Sequence, residues 1–106
     1  MSLDGSYKVL TLSKFNKSIK KNLPRQLKGV LDRKIKYLAE NPHHPSLNTK
    51  ALRVSIQKCA QLGVDKVWEF YINRDFRCIF YERSSDKEII LIMVGNHENV
   101  GRRFPH

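Results

Sequence analysis

Residues 66–95 hold three apolar runs, "KVWEFYIN", "FRCIFYER" and "EIILIMVG", joined by the two-residue link "RD" and the four-residue link "SSDK". Links this short force successive strands to fold back beside one another, so the last third of the chain is predicted to be an antiparallel meander. The third run lacks the alternation of a half-exposed strand. It therefore belongs inside the sheet, covered on both faces.

The first half supplies what covers the sheet. "YKVLTL", residues 7–12, alternates and is rich in β-branched and aromatic residues, as a first strand requires. Ser13 stands where an N-cap belongs, and Phe15 and Ile19 are four apart on a short helix that Asn22 ends. Pro24 suits the first turn of a second helix, where its missing N–H is no loss. From Leu23, the residues Leu27, Val30, Leu31, Ile35 and Leu38 form a stripe of helical period, opposite a face that carries Arg25, Lys28, Arg33, Lys34 and Lys36. That basic face is either a solvated surface or a polyanion contact.

The prolines of "ENPHHPS" stop the second helix. "LNTKALRVSI" opens like a strand, whereas polar residues and a glycine break the pattern of "QKCAQLGVD", so residues 55–65 read as an extended connection. The expected fold is α+β, in the order β-α-α-β-β-β. Two N-terminal helices pack on one face of a small, mostly antiparallel sheet, in one domain over residues 7–104.

Composition excludes several classes. A chain of 106 residues buries about two thirds of its unfolded surface, enough for one modest core. No apolar run approaches the roughly 18 residues of a membrane span, and the N-terminus lacks the basic-then-apolar order of a signal peptide, so a soluble, cytoplasmic protein with no membrane partner is expected. Cys59 and Cys78 match neither a redox pair nor half of a zinc site and read as buried thiols. His43 and His44 are adjacent, with His97 and His106 remote from them, which is no metal-ligand spacing. There is no nucleophile elbow and no glycine-rich phosphate loop, so neither a metal nor a small-molecule cofactor is expected.

Charge points the other way, toward a partner. The chain carries a net charge of +10, and residues 1–53 hold 12 Lys/Arg against 3 Asp/Glu. One region thus carries most of the positive field, as expected of a protein that meets nucleic acid or a strongly acidic partner.

The meander also brings particular side chains together. Arg77 lies inside a strand, where an arginine must be paired or point into a cleft. Folding back from the "SSDK" turn brings residues 94–97 level with residues 74–77, and Gly95 lets the backbone turn sharply before His97. His97, Arg74, Arg77, Arg102 and Arg103 are then expected to share one edge of the sheet. A histidine among fixed cations suits cleavage of an RNA phosphodiester, because the 2′-hydroxyl must lose a proton, the phosphorane gains charge and the leaving 5′-oxygen must be protonated. That chemistry needs no metal. The rival role for His97 is a loop histidine that hydrogen-bonds the backbone, and spacing does not separate the two.

Three stretches carry a family likeness: "ENPHHPSLNTKAL", "VWEFYINRDFRCIFY" and "EIILIMVGNHENVGRR". From Tyr7 to Arg103 the chain resembles the RelE/ParE toxin superfamily of toxin–antitoxin systems, most specifically in the strand pair "WEFYINRDFRCIFY" and the ending "VGNHENV". The resemblance implies a toxin that enters the ribosomal A site and cuts mRNA there, neutralised by a cognate antitoxin. Carried over by position, Arg77 resembles the family's phosphate-contacting arginine and His97 its catalytic histidine or arginine at the end of the last strand. Lys50 falls where family members place basic or acid/base residues, and His44 is similar to a histidine that precedes a proline in YafQ-like toxins. Arg53, Arg74, Arg102, Arg103 and Phe104 complete the expected RNA-binding set.

One position departs from the pattern. Many RelE-like toxins carry an aromatic residue four positions beyond the residue matching His97, and here that position is Gly101. Phe104 could stack in its stead but has no proton to donate. Two other functions fit the same resemblance: a ParE-like inhibitor of DNA gyrase, and a degenerate member that keeps antitoxin binding without cleaving RNA. Trp68 reads as a core residue, with a base-stacking platform as the alternative.

Overall fold

A computed structural model describes residues 7–104. Strand β1 (Lys8–Thr11) leads into helix α1 (Ser13–Asn22), and a 3-10 turn (Arg25–Leu27) runs directly into α2 (Lys28–Glu40). After a second 3-10 turn (Pro45–Leu47) come the short β2 (Lys50–Ala51) and α3 (Ile56–Leu62). The meander follows as β3 (Lys66–Tyr71), β4 (Phe76–Arg83) and β5 (Glu88–Asn96), and α4 (His97–Arg103) closes the described chain. The five strands lie in the order β1-β5-β4-β3-β2, with β1 parallel to β5 and every other neighbour antiparallel. The expected α+β order and the meander are both present. β5, the strand without alternation, lies inside the sheet.

Each face of the sheet has its own core. On one, Phe15 and Leu23 from the α1 region and Leu31 and Leu38 of α2 pack against Phe70, Cys78, Phe80, Ile89, Leu91 and Val94. On the other, Cys59 of α3 and Val100 of α4 cover Val67, Ile79, Tyr81, Ile90 and Ile92. Cys59 and Cys78 are free and buried, and burial raises the Cys78 thiol far above its ordinary range. Trp68 is half-buried against the first core and donates from Nε1 to Glu82 Oε1 at 2.8 Å. Among the described residues no helix is long and apolar enough to cross a membrane.

The helices on the second face correct the sequence reading. Residues 55–65 are not an extended connection: Ser55 Oγ accepts from the Lys58 N–H at 3.0 Å and Gly63 ends α3 in the left-handed region at φ 71. Those are ordinary start and stop signals. What the segment lacks is an apolar stripe, since Cys59 is its only buried residue and Ile56 is 89% exposed. At α1 the N-cap is Leu12 with no side-chain bond, and Ser13 is the first helical residue.

β5 contains one extra residue. Ile79 pairs with Met93 but Phe80 with Leu91, so Ile92 is bulged. Ile92 and Met93 consequently both pack toward the second core, and Val94 returns to the first. The bulge sets Arg77 opposite Gly95 and Phe76 opposite Asn96. Without it, Arg77 would face Val94.

Beyond Leu91, β5 has no strand partner on its outer side, because β1 ends at Thr11. Helix α1 substitutes for one there: Ser18 Oγ accepts from the Val94 N–H at 2.9 Å and Asn22 Nδ2 donates to the Val94 carbonyl at 2.8 Å. Two residues one helical turn apart thus satisfy one residue of open edge. Replacing both Ser18 and Asn22 with Ala is expected to cost about 2 kcal/mol in urea unfolding, roughly 1 kcal/mol for each hydrogen bond removed.

Candidate functional site

The site is built on the second face of the sheet, beside α4. Glu69, Tyr71 and Arg77 lie on neighbouring strands, with Glu69 opposite Ile79 and Tyr71 opposite Arg77. Lys50 pairs with Glu69 from the short edge strand β2. α4 then sets His97 over the end of the sheet: Asn96 Oδ1 accepts from the Asn99 N–H and Asn99 Oδ1 from the Asn96 N–H, both at 2.9 Å. This capping box starts the helix at His97.

Gly95 is required here for space. Its φ is not positive, so the sharp backbone turn expected of it is absent. A Cβ at Gly95 would instead lie 2.5 Å from the Asn99 Cβ, inside the capping box.

Arg77 and His97 are in direct contact, with Nη1 2.9 Å from His97 Nδ1. A guanidinium has no acceptor, so Arg77 donates, Nδ1 is the acceptor, and the imidazole proton sits on the outward Nε2. The Arg77 Nη1 also lies 3.8 Å from Glu69 Oε1, with both side chains largely buried. The Tyr71 ring holds two cations, the Arg77 Cζ at 5.0 Å and the Lys50 Nζ at 5.2 Å from its centre. Two buried polar atoms, Glu69 Oε2 and Arg77 Nε, have no hydrogen-bond partner among the described residues.

These groups border an open pocket of about 200 Å³, lined by Lys50, Leu52, Arg53, Glu69, Arg77, His97 and Gly101 among others. A second, wider depression lies on the other side of the Arg77–His97 pair and includes Arg74, Asp75, Phe76 and Asn96. The pair is therefore a ridge between two hollows.

The expected site residues divide accordingly. Arg77, His97, Lys50 and Arg53 come together in the pocket, and Arg74 borders the adjoining hollow. Arg102 and Arg103 do not share that edge, because the chain turns helical at His97 and carries them to the far end of α4. Arg102 ion-pairs with Glu98 one turn earlier. His44 is also elsewhere. It stacks on Tyr37 with ring centres 4.4 Å apart and accepts from the Ser46 N–H through Nδ1, at the 3-10 turn after α2. Phe104 packs against the second core and is not among the residues lining the pocket.

Sequence reading missed Glu69 and Tyr71. The available signal was a carboxylate within the strand run "VWEFY", on the same face as the arginine of the next strand. Using it requires the β3–β4 register. Among the described residues there is no group of three or more His, Cys, Asp or Glu side chains that could hold a metal ion.

Solved structures place this architecture. The chain aligns with RelE of the archaeal RelE–RelB complex from Pyrococcus horikoshii OT3 at 16% identity, covering 86% of this chain and 94% of that one with a TM-score of 0.66. YafQ from E. coli strain BL21(DE3) matches at 16% identity, 89% and 97% coverage and a TM-score of 0.63. A metal-bound toxin from Helicobacter pylori matches at 18% identity, 89% and 98% coverage and a TM-score of 0.61. No protein-family model matches the sequence, and neither does any curated protein. The chain has the fold of the RelE and YafQ toxins.

Replacing Gly95 with Ala is expected to cost about 1–3 kcal/mol, the usual penalty of overpacking. It should also break the capping box and separate His97 from Arg77. The urea midpoint reads the first effect, and the 15N shifts of the His97 imidazole read the second.

Proposed function

We propose that this chain is the toxin of a toxin–antitoxin pair and that it cuts mRNA on the ribosome by metal-independent cleavage of the RNA backbone. The observation that carries this reading is the Arg77–His97 pair at 2.9 Å, set on a ridge with Lys50 and an open pocket beside it. The fold shared with RelE and YafQ supports the toxin role, and the RelE neighbour was solved with RelB, so a cognate antitoxin is the partner proposed here.

The reaction is an in-line attack of the ribose 2′-oxygen on the adjacent phosphorus. The P–O5′ bond breaks, a 2′,3′-cyclic phosphate forms, one proton leaves the 2′-hydroxyl and one reaches the 5′-oxygen. Arg77 faces the phosphate. Its guanidinium fork can bind two phosphate oxygens and stabilise the charge that grows on them. In doing so it releases Nδ1 of His97, which then has one free lone pair and one N–H and is equipped to move a proton at the scissile bond. Lys50 adds a second cation across the Tyr71 ring. Glu69 offsets part of this charge and steadies Arg77 from below.

A ParE-like gyrase inhibitor would have no use for a strand-end histidine bonded to an arginine, so the pair favours the nuclease. The degenerate alternative rests on Gly101. That glycine lines the pocket, and a Cβ added there would meet nothing within 4 Å.

On mRNA-programmed ribosomes the wild-type chain is expected to cut in the A-site codon. His97→Ala should slow cleavage by roughly 10²–10⁴-fold and Arg77→Ala by roughly 10²–10³-fold, the usual effects of losing a proton-transfer group and an oxyanion donor. Absence of cuts by the wild type despite ribosome binding would move the reading to the degenerate toxin. Gly101→Tyr tests that outcome, because the position has open space at Cβ for the aromatic and cleavage should rise if its loss is the defect. Growth arrest with failing DNA supercoiling and intact mRNA would instead identify the gyrase inhibitor.

A further inference from the structure

Away from the His97 pocket, two adjoining depressions of about 240 and 320 Å³ share Lys21, Asn22, Met93 and Arg103. Together they form a groove along the stretch of β5 that α1 covers, closed on its other side by the C-terminal end of α4. Lys14, Lys17 and Lys21 stand on the α1 rim. At 1.5 Å rise per residue they span about 10 Å. Arg102 and Arg103 form the facing rim, and among the described residues no carboxylate lines either depression. The nearest acid in contact is Glu98, which pairs with Arg102.

Cations are crowded here rather than spread apart. The Lys14 ammonium is held below its ordinary range first by burial and then by Arg103, and Arg103 also contacts the Tyr81 side chain. A folded chain that places five cations on two facing rims opposes its own repulsion, which an anion lying between the rims removes. The lysines themselves are exposed and carry no part of the core.

We propose that this groove is a docking site for the backbone of double-helical RNA, separate from the cleavage pocket and read without regard to base sequence. Among the described residues none that lines it is aromatic, so these offer no stacking platform of the kind by which single strands are held. It also offers little to a protein partner. Ile92 is fully buried and Met93 alone gives partial apolar access, whereas protein interfaces depend on pockets that take apolar or aromatic anchors. Recognition here must come from charge density, which two facing cationic rims match to a phosphate backbone.

The groove and the pocket share α4. His97 and Gly101 line the pocket, while Asn99, Arg102 and Arg103 line the groove. An RNA helix held in the groove therefore bears on the helix that carries His97. The choice of RNA as the polyanion rests on the nuclease reading; the groove itself does not.

The test is binding of a mixed-sequence RNA duplex of about 20 base pairs, followed across salt concentrations. The variant Lys14→Gln/Lys17→Gln/Lys21→Gln should bind more weakly and flatten the slope of log K against log salt by about two units, roughly 0.7–0.9 for each phosphate no longer neutralised. Arg25→Gln/Lys28→Gln/Lys36→Gln removes the same charge from the α2 region and should leave that slope unchanged. Equal effects from both variants would mean a diffuse field and overturn the site. Competition by poly-glutamate as effective as that of the duplex would assign the groove to an acidic protein instead. Duplex binding without mRNA cleavage would leave the groove standing and sink the nuclease reading, and cleavage with undiminished binding by the α1 variant would do the reverse.

Discussion

The site depends on the bulge at Ile92. One extra residue in β5 advances the pairing so that Arg77 meets Gly95 rather than Val94. Because Gly95 has no side chain, Asn99 can fold down over it, and the capping box that results starts α4 at His97. The histidine thus reaches the arginine through a chain of backbone constraints, each a consequence of packing. Regular pairing of the same residues, without the bulge, would turn Gly95 to the other face and leave α4 without its seat.

Charge at the site is balanced in an unusual way. Two cations, Lys50 and Arg77, lean on the ring of Tyr71, and one buried carboxylate, Glu69, lies within 3.8 Å of Arg77. The ring quadrupole and a single acid keep the cations in place without neutralising both. A net positive pocket results. Among the described residues, the groove between α1 and α4 has no such acid in its lining.

Helix α1 serves two purposes in this arrangement. Through Phe15 it closes the first core, and through Ser18 and Asn22 it covers the open edge of β5 beside the bulge. The same helix turns Lys14, Lys17 and Lys21 outward. Edge protection and surface charge are therefore joined, because a helix laid along a sheet edge has one face to give to the backbone and another to solvent.

The strands, their order in the chain and the first two helices were legible in the sequence. Local periodicity and short links impose them through the nearest neighbours of each residue. Arg77 and His97 were legible as partners for the same reason, since a four-residue turn brings residues 94–97 level with residues 74–77. Helices α3 and α4 were not, because each buries only one residue, Cys59 or Val100, and so leaves no periodic stripe. Their omission misplaced Arg102 and Arg103, which α4 carries away from His97. Glu69 and Tyr71 join the site only through the β3–β4 register, and His44 leaves it because the chain after α2 packs that ring on Tyr37. The sequence by itself thus determined which segments are strands, which two helices cover the first face, and that a histidine and an arginine would meet. Tertiary structure alone decided what surrounds them, because bulges, caps and cross-strand neighbours depend on contacts between residues far apart in the chain.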